Sequence, residues 1–479
     1  MKPLFSCLLV GLFALGSDGY TQSGNIQVTI NINNPAHRIS PYITGLGLAY
    51  HNETDVFVKE FKAAETFRTL GIGALRYPGG HKTSSFHWEE PWYPVYTDKY
   101  DPDLSNRLQR LGLTEEQLPT VNANYMDLDE FLKLAQASGA EPLVGINIKT
   151  GQLYDREADQ TAETLRMFRH IKERGYRVTW YYIDNEVGHT PHKKPMTIPE
   201  YAGYINRLVP ELRKIQPNAK FIVNIMGTPF SDKNVELMRL AGKNYDAIDT
   251  HHYWNWGKAS WQEYLAQRPL VKSGDTLYEM AEKFRVERDK LGLDHIRLMS
   301  LEWSAGPVAE GETLSAYQCA LIESEMMGQF IQGDYRATTM WPFQWKISGR
   351  IYPGRVFVDQ NGKATKPIKD VFRLYSRCRD AAYVPAISAS TDIVAHAAIS
   401  DAGIVYTYLL NKSPETKSIT LNLGGAQSGQ GTLQSLYGRD LTRDNIPVPE
   451  YSPVMMKQGT VNIMLAPWSF SLVELEIEI

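Results

Sequence analysis

The sequence predicts an α/β fold, a (β/α)8 TIM barrel joined to a small β-sandwich domain built from the C-terminal region plus one N-terminal strand. Three observations predict it. Eight short apolar runs alternate with segments of helical period. These runs are apolar on both faces, as parallel strands are when helices cover them. Beyond Cys378 the texture changes to short alternating runs set apart by Gly, Asn, Asp and Ser, which is sandwich patterning. A doubly wound open sheet is the competing arrangement, but no glycine-rich phosphate loop follows the first strand.

Composition limits the possibilities further. With 479 residues, 43% of them hydrophobic and 22% charged, the chain can bury one large core and still supply a second, smaller domain. A net charge of −4 provides no global field to gather nucleic acid, and no block of like charges forms a tail. Attraction to a charged ligand must come from local clusters.

The elements follow in order along the chain. Residues 1–20 read as a cleavable signal peptide: Lys2 precedes the apolar run "LFSCLLVGLFAL", which is too short to span a bilayer. A secreted or periplasmic protein is expected, with no membrane span. Once Cys7 is lost with the signal, Cys319 and Cys378 remain, too few for a disulfide framework. Residues 24–36 contain "NIQVTINI", a strand expected to join the C-terminal sheet. Residues 37–378 form the barrel, with strands at "ITGLGLAY", "GALRYPGG", "EPLVGINIKTG", "TWYYIDNE", "KFIVNIMG", "DAIDTHHYW", "IRLMSLEWS" and "RATTMWPF". Helix-period segments between them include "DLDEFLKLAQASG", "TAETLRMFRHIKERG", "IPEYAGYINRLVPELRKI" and "LSAYQCALIESEMMGQFI". The connection from His81 to Asn124 is too long for a plain loop and reads as a cleft wall. Residues 379–479 form the sandwich.

In such barrels chemistry sits at the C-terminal ends of the strands. There Asn185 and Glu186 close strand four, and Glu302 closes strand seven. Both acids lie within apolar runs, where an unpaired charge is expensive. Two carboxylates facing one another across a pocket, roughly 5 to 5.5 Å apart, are what glycosidic cleavage with retention requires: one protonates the leaving oxygen while the other attacks the anomeric carbon. That chemistry needs no metal or cofactor. Glu89 and Glu90 are rival carboxylates, but they lie in the long loop.

On these residues the chain resembles the clan A retaining glycoside hydrolases, from about Ile43 to Tyr375. "LRYPGG", "HHYW" and "LEW" resemble the branch of α-L-arabinofuranosidases, xylosidases and β-agarases or porphyranases. The resemblance implies that Glu186 is the acid/base, that Glu302 is the nucleophile, and that Asn185 hydrogen-bonds the sugar 2-hydroxyl. It also implies that Tyr253 donates its phenol to the nucleophile. Charge chemistry adds Arg76, ending strand two, which could hold Glu302 ionised. His252 faces either the pocket or the helical layer, since neighbours on a strand point opposite ways; it is taken here as the pocket candidate ahead of His251. Trp341 offers a flat face to a sugar ring, and Asn147 on strand three is a further ligand candidate. Apolar and anionic surroundings are expected to raise the pKa of Glu186.

The loops on this face carry His81, Lys82 and His87, then His189, His192, Lys193 and Lys194, then Lys258, Lys346 and Arg350. His81, His87 and Lys193 are the substrate-binding candidates among them. Phe86, Trp88, Trp92, Tyr93, Trp254, Trp256 and Trp345 read as stacking platforms, Trp254 foremost. Such cations predict a sulfated or uronic substrate. The expectation is therefore an exported retaining glycosidase acting on a polysaccharide, an agar-type or porphyran-type galactan. The alternatives are an α-L-arabinofuranosidase-like or xylosidase-like exo-enzyme and, from another class, a non-catalytic carbohydrate-binding protein.

Overall fold

The computed structural model describes residues 25–478 apart from 52–61, 190–193, 226, 255–259, 267, 271–273, 307–313, 342–345, 348–349, 352–356, 358–366, 439–440 and 442–448. The expected signal segment lies outside the described residues.

Eight parallel strands close into a barrel: Gly45–Gly47, Ala74–Tyr77, Glu141–Ile146, Trp180–Ile183, Lys220–Val223, Ala247–Tyr253, Arg297–Ser304 and Ala337–Met340. They match the eight apolar runs. Inside the barrel, small and large side chains interleave: Ala74, Ala247 and Ala337 leave room for Trp180, Tyr182, Met299 and Leu301. Outside, the strands pack on helices whose starts the sequence marks. Asp127, Thr197, Thr276 and Ser315 each cap a helix, in reciprocal hydrogen bonding with Glu130, Glu200, Glu279 and Gln318.

The helix Ala316–Gln332 is buried along almost its whole length. One side packs on the barrel, and the other meets the second domain, so its sequence lacks a polar face. Its Glu325, fully buried, accepts hydrogen bonds from Tyr264 (2.8 Å), Arg268 (2.9 Å) and Lys412 (3.2 Å). Tyr375 of the barrel stacks on Tyr408 with ring centres 4.3 Å apart. The two domains thus share one hydrophobic core.

The second domain is a single hydrogen-bonded sheet of 11 strands, mostly antiparallel, and its two ends curl around a core of their own. In place of two separate layers, one ladder runs continuously. The N-terminal strand Ile26–Asn31 lies inside it, antiparallel to Ala386–Ser388 and parallel to Lys417–Gly424, with Val28 opposite Leu421. Cys319 and Cys378 are both buried. Among the described residues no helix is long and apolar enough to cross a membrane.

Candidate active site

The tip of strand four is bent sharply. Asp184 and Glu186 both adopt left-handed backbone conformations, φ 59° and 48°, which cost about 1–2 kcal/mol each for a residue with a Cβ. The side chain of Asp184, fully buried, holds the bend. It accepts hydrogen bonds from Ser84 Oγ (2.5 Å) and from the backbone N–H groups of Asn185 (2.8 Å), Ile148 (2.8 Å) and Lys149 (2.9 Å). The strain turns Asn185 and Glu186 over the barrel mouth.

Arg76, fully buried, connects the two acidic strands. Its Nη1 donates to Glu302 Oε1 (2.7 Å) and to the Leu301 carbonyl (3.0 Å), and its Nη2 donates to Asn185 Oδ1 (2.5 Å). Tyr253 donates its hydroxyl to Glu302 Oε2 at 2.7 Å. Both oxygens of Glu302 are therefore held while its carboxylate stays at the mouth. A carboxylate oxygen of Glu302 and one of Glu186 lie within 4.8 Å of each other, close enough for the carboxylate pair of a retaining mechanism, in which one acid attacks directly.

His251 stands between the acids. Its Nδ1 lies 2.7 Å from Glu186 Oε1 and 3.4 Å from Glu302 Oε2, and its Nε2 lies 2.9 Å from Asp249 Oδ2. Asn224 supports this group: it donates to Asp249 (2.9 Å) and accepts from the backbone N–H of Glu186 (3.1 Å). Burial disfavours a charged His251, but Glu302, Asp249 and Glu186 outweigh burial and raise its pKa to about 10. Glu186 moves the opposite way from the sequence expectation. Burial pushes its pKa up, but His251 and His81, the latter 2.9 Å from Oε2, hold it well below the usual carboxylate range. The anionic surroundings foreseen for it are offset by two imidazoles.

Trp341 lies at the mouth, and its accessible face is covered by the Lys82 ammonium, 4.8 Å from the ring centre. Burial lowers the Lys82 pKa to about 8 against the pull of Glu302, with Arg76 adding to the decrease. Gly80 passes beside both groups with φ 53°; a Cβ there would stand 3.2 Å from Glu302 Oε1 and 3.6 Å from Trp341. Only glycine adopts that conformation without strain.

Four sequence-predicted ligands require correction. His252 points away from the pocket, bonded to Thr250 Oγ1 at 2.8 Å, and burial depresses its pKa to about 3. Tyr253 and His251 are two residues apart on one strand, so choosing Tyr253 for the pocket already selects His251 and turns His252 outward. His87 is buried between Glu163 (2.9 Å) and Asp98 (3.4 Å), where it fastens the long loop to helix Glu157–Glu173. Asn147 bonds the Phe86 carbonyl (3.2 Å) and Thr150 (2.7 Å) and serves the same loop. Trp254 is core, buried edge-on against Tyr264 with ring centres 6.0 Å apart. Phe86 and Tyr93 are likewise buried inside the loop they were expected to decorate. The rivals Glu89 and Glu90 pair with Arg166 (2.7 Å) and Lys99 (2.5 Å) away from the acids. Lys193, His192, Trp256, Lys258 and Trp345 lie outside the described residues. Sequence reasoning missed Asp184, Asn224 and Asp249, although the alternation that selects His251 also selects Asp249.

Known proteins resemble the chain in sequence and in fold. No family model matches the sequence. A probable α-L-arabinofuranosidase C of Aspergillus fumigatus is 27% identical over 168 residues, 33% of this chain, and the match spans only 31% of the fungal protein. An intracellular exo-α-L-arabinofuranosidase of Bacteroides ovatus is 22% identical over 88% of this chain and 86% of its own length. Among solved structures, the α-L-arabinofuranosidase of Thermotoga maritima superposes with a TM-score of 0.73, at 16% identity, over 94% of this chain and 100% of that one. The family 51 enzyme of Thermotoga petrophila gives 0.70 at 17% identity, over 94% and 100%. In sequence the chain is similar to α-L-arabinofuranosidases, and it shares the fold of the solved ones, a (β/α)8 barrel joined to a curled β-sheet domain.

Proposed function

We propose that this chain is a retaining, exo-acting α-L-arabinofuranosidase with Glu186 as acid/base and Glu302 as nucleophile. The supporting observation is the pair of carboxylates within 4.8 Å, one gripped by Arg76 and Tyr253 and the other by two histidines. In the first step a Glu302 oxygen bonds to the anomeric carbon as the glycosidic C–O bond breaks, and the proton shared by Glu186 and His251 passes to the departing oxygen. Water then gives its proton to Glu186 and its oxygen to the anomeric carbon, which releases Glu302. Two inversions give retention. Arg76 occupies Asn185 Oδ1, which orients the amide so that its Nδ2 donates to the sugar 2-hydroxyl.

The sugar is inferred from what the relatives are named for. The galactan expectation rested on the cations, and three of these are engaged locally: His81 faces Glu186, His189 lies beside both, and Lys82 covers Trp341. The apolar run at Leu4 to Leu15 supports export; signal removal and recovery outside the cytoplasm test that part. For the activity, the assay is release of free arabinose from aryl α-L-arabinofuranosides and arabinan, set beside agarose and porphyran. Proton NMR reads the first anomer formed. Glu302→Ala should abolish turnover, and azide should restore it as a glycosyl azide. Oligomers released from a galactan, with no arabinose from any substrate, would reverse the reading.

A further inference from the structure

His189 takes no part in the reaction outlined above, yet it completes a constellation. Its Nδ1 lies 3.9 Å from Glu186 Oε2, and His81 Nε2 lies 2.9 Å from the same oxygen. The two imidazoles stack with centres 5.7 Å apart and planes 14° from parallel. One ligand atom from each of the three residues lies within 4.8 Å of the other two. The histidines arrive from the loops after strands two and four, so the barrel rather than one flexible segment sets their spacing.

Zinc binds imidazole nitrogen and carboxylate oxygen at about 2.0–2.2 Å, which puts tetrahedral neighbours about 3.3 Å apart. The distances of 2.9 and 3.9 Å bracket that value. Two nitrogens and one oxygen suit zinc, copper or nickel and disfavour calcium and magnesium, which take oxygen ligands. The histidine side chains are about one-third exposed, at 33% and 30%, and Glu186 at 11% closes the inner side.

A second trio, Glu186 with His251 and Glu302, meets the same spacing. It is a poor cation site. His251 already spends one nitrogen on Asp249, Glu302 holds Arg76 and Tyr253, and an added cation would stand against the Arg76 guanidinium.

We propose that His81, His189 and Glu186 form a binding site for a borderline divalent transition cation, and that its occupancy inhibits the enzyme reversibly by taking the acid/base carboxylate out of the reaction. Binding stands on this geometry alone, whereas inhibition rests on the proposed function. The probe is zinc chloride, titrated calorimetrically into the full chain prepared without a histidine tag and cleared of metal, with cobalt(II) absorption reporting tetrahedral coordination. Wild type should bind one equivalent at this site. His189→Asn should weaken that binding at least about ten-fold and raise the zinc concentration for half-inhibition by the same factor, each rate being referred to that protein's own metal-free rate. Chelation should restore wild-type activity. Unchanged affinity in His189→Asn would overturn the site, and full activity of the zinc-loaded wild type would overturn the inhibition. If the metal-free chain hydrolyses no arabinofuranoside, the proposed function fails, while the calorimetric comparison still decides the site.

Discussion

Replacing His251 by Asn tests how Glu186, the proposed acid/base, keeps its proton. In the intact site His251 Nδ1 lies 2.7 Å from Glu186 Oε1, and Asp249 holds the other nitrogen at 2.9 Å. Burial opposes the charge, but Glu302, Asp249 and Glu186 raise the His251 pKa to about 10, so the pair keeps its proton until the pH approaches that value. Asn cannot hold it. Glu186 must then carry the proton alone, within 4.8 Å of Glu302 and with His81 still on its other oxygen. The alkaline limb of kcat/KM should therefore move to lower pH than in the wild type, and above the new limb the rate should fall about ten-fold for each pH unit. Initial rates on aryl arabinofuranosides from about pH 4 to about pH 10 supply the profile. The loss should be larger for poor leaving groups, which depend on proton delivery. If the plateau falls and the alkaline limb stays in place, the proton delivered to the substrate is not the one shared with His251, and the imidazole is only a strut.

Other consequences can be measured separately. Asp184→Ala removes the acceptor of four hydrogen bonds at a strained turn, and urea unfolding should show a loss of about 2–4 kcal/mol, with kcat reduced more than KM is changed. For Gly80→Ala, left-handed strain of about 1–2 kcal/mol and pressure on Glu302 should lower kcat; a variant as active as wild type would show that the loop shifts without cost. His87 is almost fully buried, and burial lowers its pKa, but Asp98 and Glu163 raise it to about 9. Its folded value exceeds its unfolded one, so its contribution is complete below about pH 6.5 and is lost as pH rises through about 9. It amounts to about 3 kcal/mol. The stability gap between wild type and His87→Asn should therefore narrow between pH 6 and pH 10, and a constant gap would contradict the ion pairing.

Much of this architecture is legible in the sequence because buried parallel strands must be apolar on both faces, which made all eight visible. The acidic tips stood out for the same reason: Glu186 and Glu302 interrupt runs that otherwise exclude charge. Local patterning failed where a residue's partner lies far away in the chain. His87, Asn147 and Trp254 have the chemistry of sugar ligands, but Glu163, Phe86 and Tyr264 occupy them, and no spacing rule announces that. His252 is a different failure. The strand's own period favours His251, which stands two residues before Tyr253, as the inward side chain. The alternation of the C-terminal runs announces their antiparallel sheet domain, though not the order in which the strands join.

The N-terminal strand carries a consequence for how the molecule is made. Gln27 accepts a hydrogen bond from Asn422, 395 residues away, so this strand leaves the ribosome long before its partner does. Until then its backbone groups lack the ladders they have in the finished sheet. Its insertion between Ala386–Ser388 and Lys417–Gly424 acts as a latch: after a cut shortly beyond Asn31 the severed peptide should stay bound, held by ladders on both sides.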